Sequence, residues 1–123
     1  MEKGKKTMVI VASANPERYS YRCIHQLKAH GHPVEALGIK QGEVAGFSIQ
    51  NKLVEIANVD TVTLYVGPSN QYDYQDYILN VIRPNRLIFN PGTENPAFMN
   101  KAIEQGIDAF EACTLVMMST AQF

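Results

Sequence analysis

A chain of 123 residues with 46% hydrophobic side chains is the size of one domain and has the apolar material for a sizeable core. Its 11 basic and 12 acidic residues leave a formal charge of -1, which excludes a field strong enough to make nucleic acid or an anionic membrane the main partner. Any anion has to be held locally.

The basic N-terminal MEKGKK is expected to be a flexible tail over residues 1–6 of a single domain spanning 1–123. The apolar run that follows, Met8 to Ala12, is too short for a signal-peptide core or a membrane span, so a cytoplasmic location is expected. Thr7 to Ser13 (TMVIVAS) lacks alternation and predicts a strand covered on both faces. Helical spacing of Tyr21, Ile24 and Leu27 predicts a helix over Arg18 to His30, stopped by Gly31. Val34 to Leu37 reads as a second strand, and Gln50 to Ile56 as a short helix. Thr61 to Val66, rich in β-branched residues, reads as a third strand closed by Gly67-Pro68. A helix over Tyr74 to Ile82 stops at Pro84, and a fourth strand, Arg86 to Phe89, runs into Asn90-Pro91-Gly92. Asn95 as N-cap and Pro96 in the first turn open a helix ending at Gly106. Ile107 to Ala112 is the fifth strand, and the apolar tail is expected to form a short helical turn against the sheet.

Alternation of strands and helices predicts an α/β fold: a single-domain, doubly wound, parallel five-stranded sheet of Rossmann-like type, ordered 3-2-1-4-5 or 2-1-3-4-5. Small and polar residues follow every strand. In such sheets, helix N-termini and free strand ends meet along one edge and bind ligands there. The first loop carries the most chemistry: Ser13, Asn15 and Ser20 offer neutral donors, and Arg18 a charged fork suited to phosphate oxygens. The loop has no G-x-G-x-x-G. An acid about 20 residues after such a loop serves the ribose of NAD, whereas this chain reads Gly38-Ile39-Lys40, which favours a phosphorylated ribose, as in coenzyme A or, second, NADP.

These residues resemble the small stand-alone CoA-binding proteins, related to the CoA-binding domain of the succinyl-CoA synthetase alpha subunit. The family's first loop is similar to Gly-Ala-Ser-x-Asn-Pro-x-Arg-x-Ser, matched here by Ala12, Ser13, Asn15, Pro16, Arg18 and Ser20. Of its strand-two ending, Asn-Pro-Lys, Lys40 is retained. "VDTVTLYVGP", "RLIFNPGTEN" and "CTLVMMSTAQF" also look like the family, so the resemblance runs from about Thr7 to the last residue. It implies a Rossmann-like fold binding coenzyme A or an acyl-CoA. Ser13, Asn15, Arg18 and Ser20 would line the phosphates and Lys40 the ribose phosphate. Gly67, Pro68, Asn90, Pro91 and Gly92 would form the adenine side and the far wall, with Gly38 beside Lys40 at the end of strand two also counted in the site. Val11 takes the place of the family's leading glycine, and a β-branched side chain there is expected to leave the site shallower or empty.

The resemblance covers the CoA-binding domain alone, so ligase chemistry is not expected. Cys23 and Cys113 match neither metal spacing nor a redox pair, and no metal site is expected. The leading expectation is a non-catalytic binding module for coenzyme A or a related adenine nucleotide, acting as a sensor, carrier or subunit of a larger assembly. Two alternatives stand beside it. One is an enzyme or redox-linked protein using Cys113; the other is a protein-interaction domain whose nucleotide site has decayed. Burial of Leu115 to Met118 in the core or in a homodimer interface is left open.

Overall fold

Seven strands form one sheet in the computed structural model, which describes residues 4–123. They are β1 (Thr7–Ile10), β2 (Val34–Leu37), β3 (Gly42–Val44), β4 (Phe47–Gln50), β5 (Thr61–Leu64), β6 (Arg86–Phe89) and β7 (Asp108–Glu111). Their order is β3-β4-β2-β1-β5-β6-β7, with every neighbouring pair parallel except β3 and β4. The five expected strands are β2-β1-β5-β6-β7 within it, the second of the two orders the alternation allowed. Of the tail expected over residues 1–6, residues 1–3 lie outside the described residues. Lys5 donates its backbone N–H to His32 Nδ1 at 2.9 Å, and the Lys6 carbonyl accepts from Asp60 N at 2.9 Å.

The sheet has two strands more than expected, β3 and β4, and the helix read over Gln50 to Ile56 does not form. Gln50 ends β4, and residues 51–56 are not helical. Val44 pairs with Phe47 across a two-residue turn, Ala45-Gly46, in which both φ values are positive (54° and 88°). That geometry matches the right-handed twist of a hairpin, and β4 then docks parallel to β2. The apolar residues of β3 and β4, Val44 and Ile49, face the core, while Glu43 and Ser48 are exposed.

Two apolar clusters cover the two faces of the sheet. Helix α1 (Tyr19–Ala29) buries Cys23, Ile24 and Leu27 against Val9, Val34 and Ala36, with Met118 of α4 (Thr114–Ser119) beside them. On the other face, Met8, Ile10, Val62, Leu64 and Phe89 meet Tyr77, Ile78 and Ile82. Those three belong to a π-helical stretch, Tyr77–Ile82, that continues α2 (Tyr72–Asp76). Phe98 and Ala102 of α3 (Pro96–Glu104) complete this cluster, with Phe98 edge-on to Phe89. No helix among the described residues is long and apolar enough to cross a membrane.

The helix ends follow from single residues. After α1, Gly31 adopts φ +80°, its N–H donates to Lys28 O and that of His32 to Leu27 O, the paired bonds of a Schellman stop. Gly106 ends α3 in the same way, through Gly106 N to Ile103 O and Ile107 N to Ala102 O. At the other end of α3, Asn95 Oδ1 caps Phe98 N at 3.2 Å and Pro96 occupies the first turn.

Burial of Cys23 gives stability a pH dependence. Desolvation, offset in part by the neighbouring Tyr65 hydroxyl, pushes this thiol from its ordinary 9.0 up to about 12. The unfolded chain therefore ionises first, so this contribution is whole below about pH 9 and is lost as pH rises toward 12. Urea denaturation of wild type and Cys23→Ala at neutral and alkaline pH checks it. Above pH 9 the wild type is expected to lose about 1.4 kcal/mol per pH unit more than the variant.

Candidate functional site

The carboxyl ends of β2, β1 and β5 open into a cavity of about 910 Å³. Residues 11–15 and Arg18 supply one wall, Ile39 to Gln41 a second, and Tyr65, Val66, Asn70, Asp73 and Tyr74 a third; Ile49 of β4 closes the side. This is where the chain, having run outward from β1 to β2, crosses back to β5 on the other side of β1. The loops after β1 and β5 therefore leave toward opposite faces and a crevice opens between them.

Loop geometry sets out the donors. The Asn15 backbone N–H donates to Ser13 Oγ at 3.1 Å, and that of Glu17 to Asn15 Oδ1 at 3.0 Å. Each bond occupies an oxygen. The Ser13 hydroxyl proton and the Asn15 amide protons have no partner among the described residues, so both side chains present donors at the cavity. The N-terminus of α1 points the same way in chemical terms: no side chain caps its first turn and no acid lies within it. Arg18, its N-cap residue, and Lys40, after β2, are both exposed cations without a carboxylate in ion-pair distance among the described residues. Two cations from different loops thus share one cavity with unspent neutral donors.

The loops are held at a fixed spacing. Ala12 N donates to Leu37 O and Gly38 N to Gln50 O, each at 2.8 Å, which ties the ends of β1, β2 and β4 together. A Cβ on Gly38 would stand 2.5 Å from the Ala12 carbonyl oxygen and 2.8 Å from Ile49 Cγ2. Glycine is required there by this close approach of two loops.

Of the residues singled out in the sequence, Ala12, Ser13, Asn15, Arg18 and Lys40 come together on the cavity wall. Pro16 instead lines a shallow depression between α1 and α4, and Ser20 is buried within α1. Gly38 sets the loop spacing, and Gly67-Pro68 leads into a single 3-10 turn, Pro68–Asn70, whose last residue reaches the cavity. Asn90, Pro91 and Gly92 are not on its wall; Asn90 is 1% exposed and occupied with buried backbone and hydroxyl partners. Val11 lines the cavity but packs back against the core, so the crevice persists beside it.

The loops after the second and third expected strands bring Ile39 and Asn70 to the edge as read, whereas Gln41, Ile49, Val66 and Asp73 were not singled out in the sequence as lining residues. Ile49 became visible only with the hairpin. The signal for Asp73 was Gly67-Pro68, a turn that reverses the chain back over the end of β5. Cys113 precedes α4 and does not line the cavity, and the Tyr65 hydroxyl is buried without a partner among the described residues. Burial, and secondarily the nearby Cys23, raises that phenol far above its ordinary range and keeps it protonated.

Comparison with known proteins agrees with this architecture. A solved structure of an uncharacterized protein superposes with a TM-score of 0.95 at 44% identity, covering 99% of this chain and 100% of the other. A protein from Pyrococcus horikoshii OT3 is 23% identical with a TM-score of 0.82, over 98% of this chain and 84% of the other. One from Thermus thermophilus is 20% identical with a TM-score of 0.84, over 98% and 91%. At those identities the last two speak to the fold alone. No protein of curated function matches the chain. The model of the CoA binding domain family matches residues 5–119, nearly the whole chain, and with the Rossmann-like sheet and the cavity at its carboxyl edge this shows that the chain belongs to the CoA binding domain family.

Proposed function

We propose that this chain binds coenzyme A or a closely related adenine nucleotide in the cavity at the ends of β1, β2 and β5, without catalysing a reaction on it. The observation that carries this reading is the convergence of Arg18 and Lys40, both without carboxylate partners among the described residues, from two walls on one cavity beside the open first turn of α1. Cations and free N–H groups around one cavity favour phosphate oxygens. The cavity volume lies in the upper part of the range for small-molecule sites, about 300–1,000 Å³. Ser13, Asn15 and Arg18 would hold the pyrophosphate, and Lys40 the ribose phosphate that distinguishes coenzyme A and NADP from NAD.

A binding role as sensor, carrier or subunit of a larger assembly is supported by the makeup of the wall. Its ionisable side chains are two cations, one carboxylate and two tyrosines, with neither a thiol nor a histidine among them. The sheet with helices on both faces supports reading the fold as doubly wound, and two free thiols fit a reducing, cytoplasmic setting.

Calorimetric titration with CoA, acetyl-CoA, NAD and NADP tests the reading. CoA and acetyl-CoA are expected to bind most tightly, NAD least, and Arg18→Ala to weaken CoA by about tenfold. Absence of CoA binding, or an Arg18→Ala affinity equal to wild type, overturns it.

A further inference from the structure

The charges on the cavity wall are segregated. Arg18 and Lys40 stand on the loops after β1 and β2, whereas the wall after β5 carries Asp73, Asn70, Tyr74 and Val66. Asp73 sits in the first turn of α2, exposed, its carboxylate making no hydrogen bond or ion pair with any described residue. Its place in the first turn of α2 suits the helix N-terminus but leaves its carboxylate oxygens open to the cavity. Tyr74 beside it is held protonated, by burial first and then by the Asp73 charge, so the wall holds a single negative charge among neutral groups.

In a nucleotide whose phosphates lie against Arg18 and Lys40, the other end has the wall after β5 available to it within the same cavity. A carboxylate there accepts hydrogen bonds from amide or hydroxyl donors and repels a further phosphate. We propose that Asp73 is a specificity-determining residue that selects nucleotides bearing an uncharged, donor-carrying arm, as in coenzyme A, and rejects nucleoside triphosphates. The inference rests on the nucleotide reading of the cavity and adds the orientation of the ligand and the class that is excluded.

The test uses the purified full chain, as wild type and as the isosteric Asp73→Asn, titrated calorimetrically with CoA, ATP and adenosine 3',5'-bisphosphate, which lacks the arm. Asp73→Asn is expected to weaken CoA by about threefold, to strengthen ATP by about threefold, and to leave the bisphosphate unchanged. Opposite signs on two ligands cannot come from a folding defect or a general change of field. A change of the same sign for CoA and ATP, or none in either, overturns the role of Asp73 while leaving the nucleotide reading intact. Failure of wild type to bind any of the three overturns both.

Discussion

Asn90→Ala is expected to lower the free energy of unfolding by about 3 kcal/mol, read as a lower urea midpoint at unchanged slope. Asn90 is 1% exposed and its amide serves three neighbours: Nδ2 donates to Thr63 Oγ1 at 2.6 Å and to Leu64 O at 2.8 Å, and Oδ1 accepts from Thr114 N at 2.8 Å. Alanine removes the amide from Leu64 O and Thr114 N in a buried place, while Thr63 Oγ1 keeps its bond to Thr114 Oγ1 at 2.8 Å, and leaving buried groups unpaired costs more than the bonds themselves contribute. The amide joins the end of β5 to the first turn of α4, across the β6 loop. Since Asn90 is off the cavity wall, the folded variant should keep wild-type affinity for CoA. A loss of stability below about 1 kcal/mol, or a loss of CoA affinity in the folded variant, contradicts this assignment.

Gly38→Ala is expected to be damaging in two ways at once. Its Cβ would enter the space of the Ala12 carbonyl oxygen, which is backbone and cannot swing away as a flexible side chain does. Overpacking of this kind costs about 2–3 kcal/mol. Relief requires the loop after β1 to move off β2, loosening the Ala12–Leu37 hydrogen bond and separating Ser13 and Asn15 from Lys40. Stability and CoA affinity should therefore fall together, unlike in Asn90→Ala, where stability falls alone. Wild-type values for both would show that the two loops are not in the contact described.

Much of the frame was legible in the residues. An almost continuous apolar run marked β1, because a strand covered on both faces has no polar face to show, and β-branched residues marked β5. Gly31, Gly106 and Asn95-Pro96 marked helix ends because left-handed backbone and open first turns select those residue types. The hairpin was hidden by its turn, Ala45-Gly46, since alanine at positive φ is not the Asn-Gly or Asp-Gly pair that announces a type I' turn. Without β4, the stretch from Gln50 read as a helix.

The cavity wall was legible by half. Ser13, Asn15, Arg18 and Lys40 follow directly from strand ends, and whatever lies just past a parallel strand reaches the carboxyl edge. Asp73 depends on where a 3-10 turn and α2 carry the chain after β5, which is a tertiary fact. Asn90 and Gly38 show the converse. Both look like ligand-loop residues in sequence, yet the structure uses one to satisfy buried polar groups and the other to let two backbones approach.

The central claim is that the loops after β1 and β2 together hold the phosphates of a nucleotide. A titration of the isotopically labelled protein with CoA, followed by backbone amide NMR shifts, tests it most directly. The largest shifts are expected at Ser13 to Ser20 and at Gly38 to Gln41, reduced in Arg18→Ala, with Asn90 to Thr93 little moved. Shifts centred on Asn90 to Thr93 or on the groove between α1 and α4, or none at any residue, would contradict it.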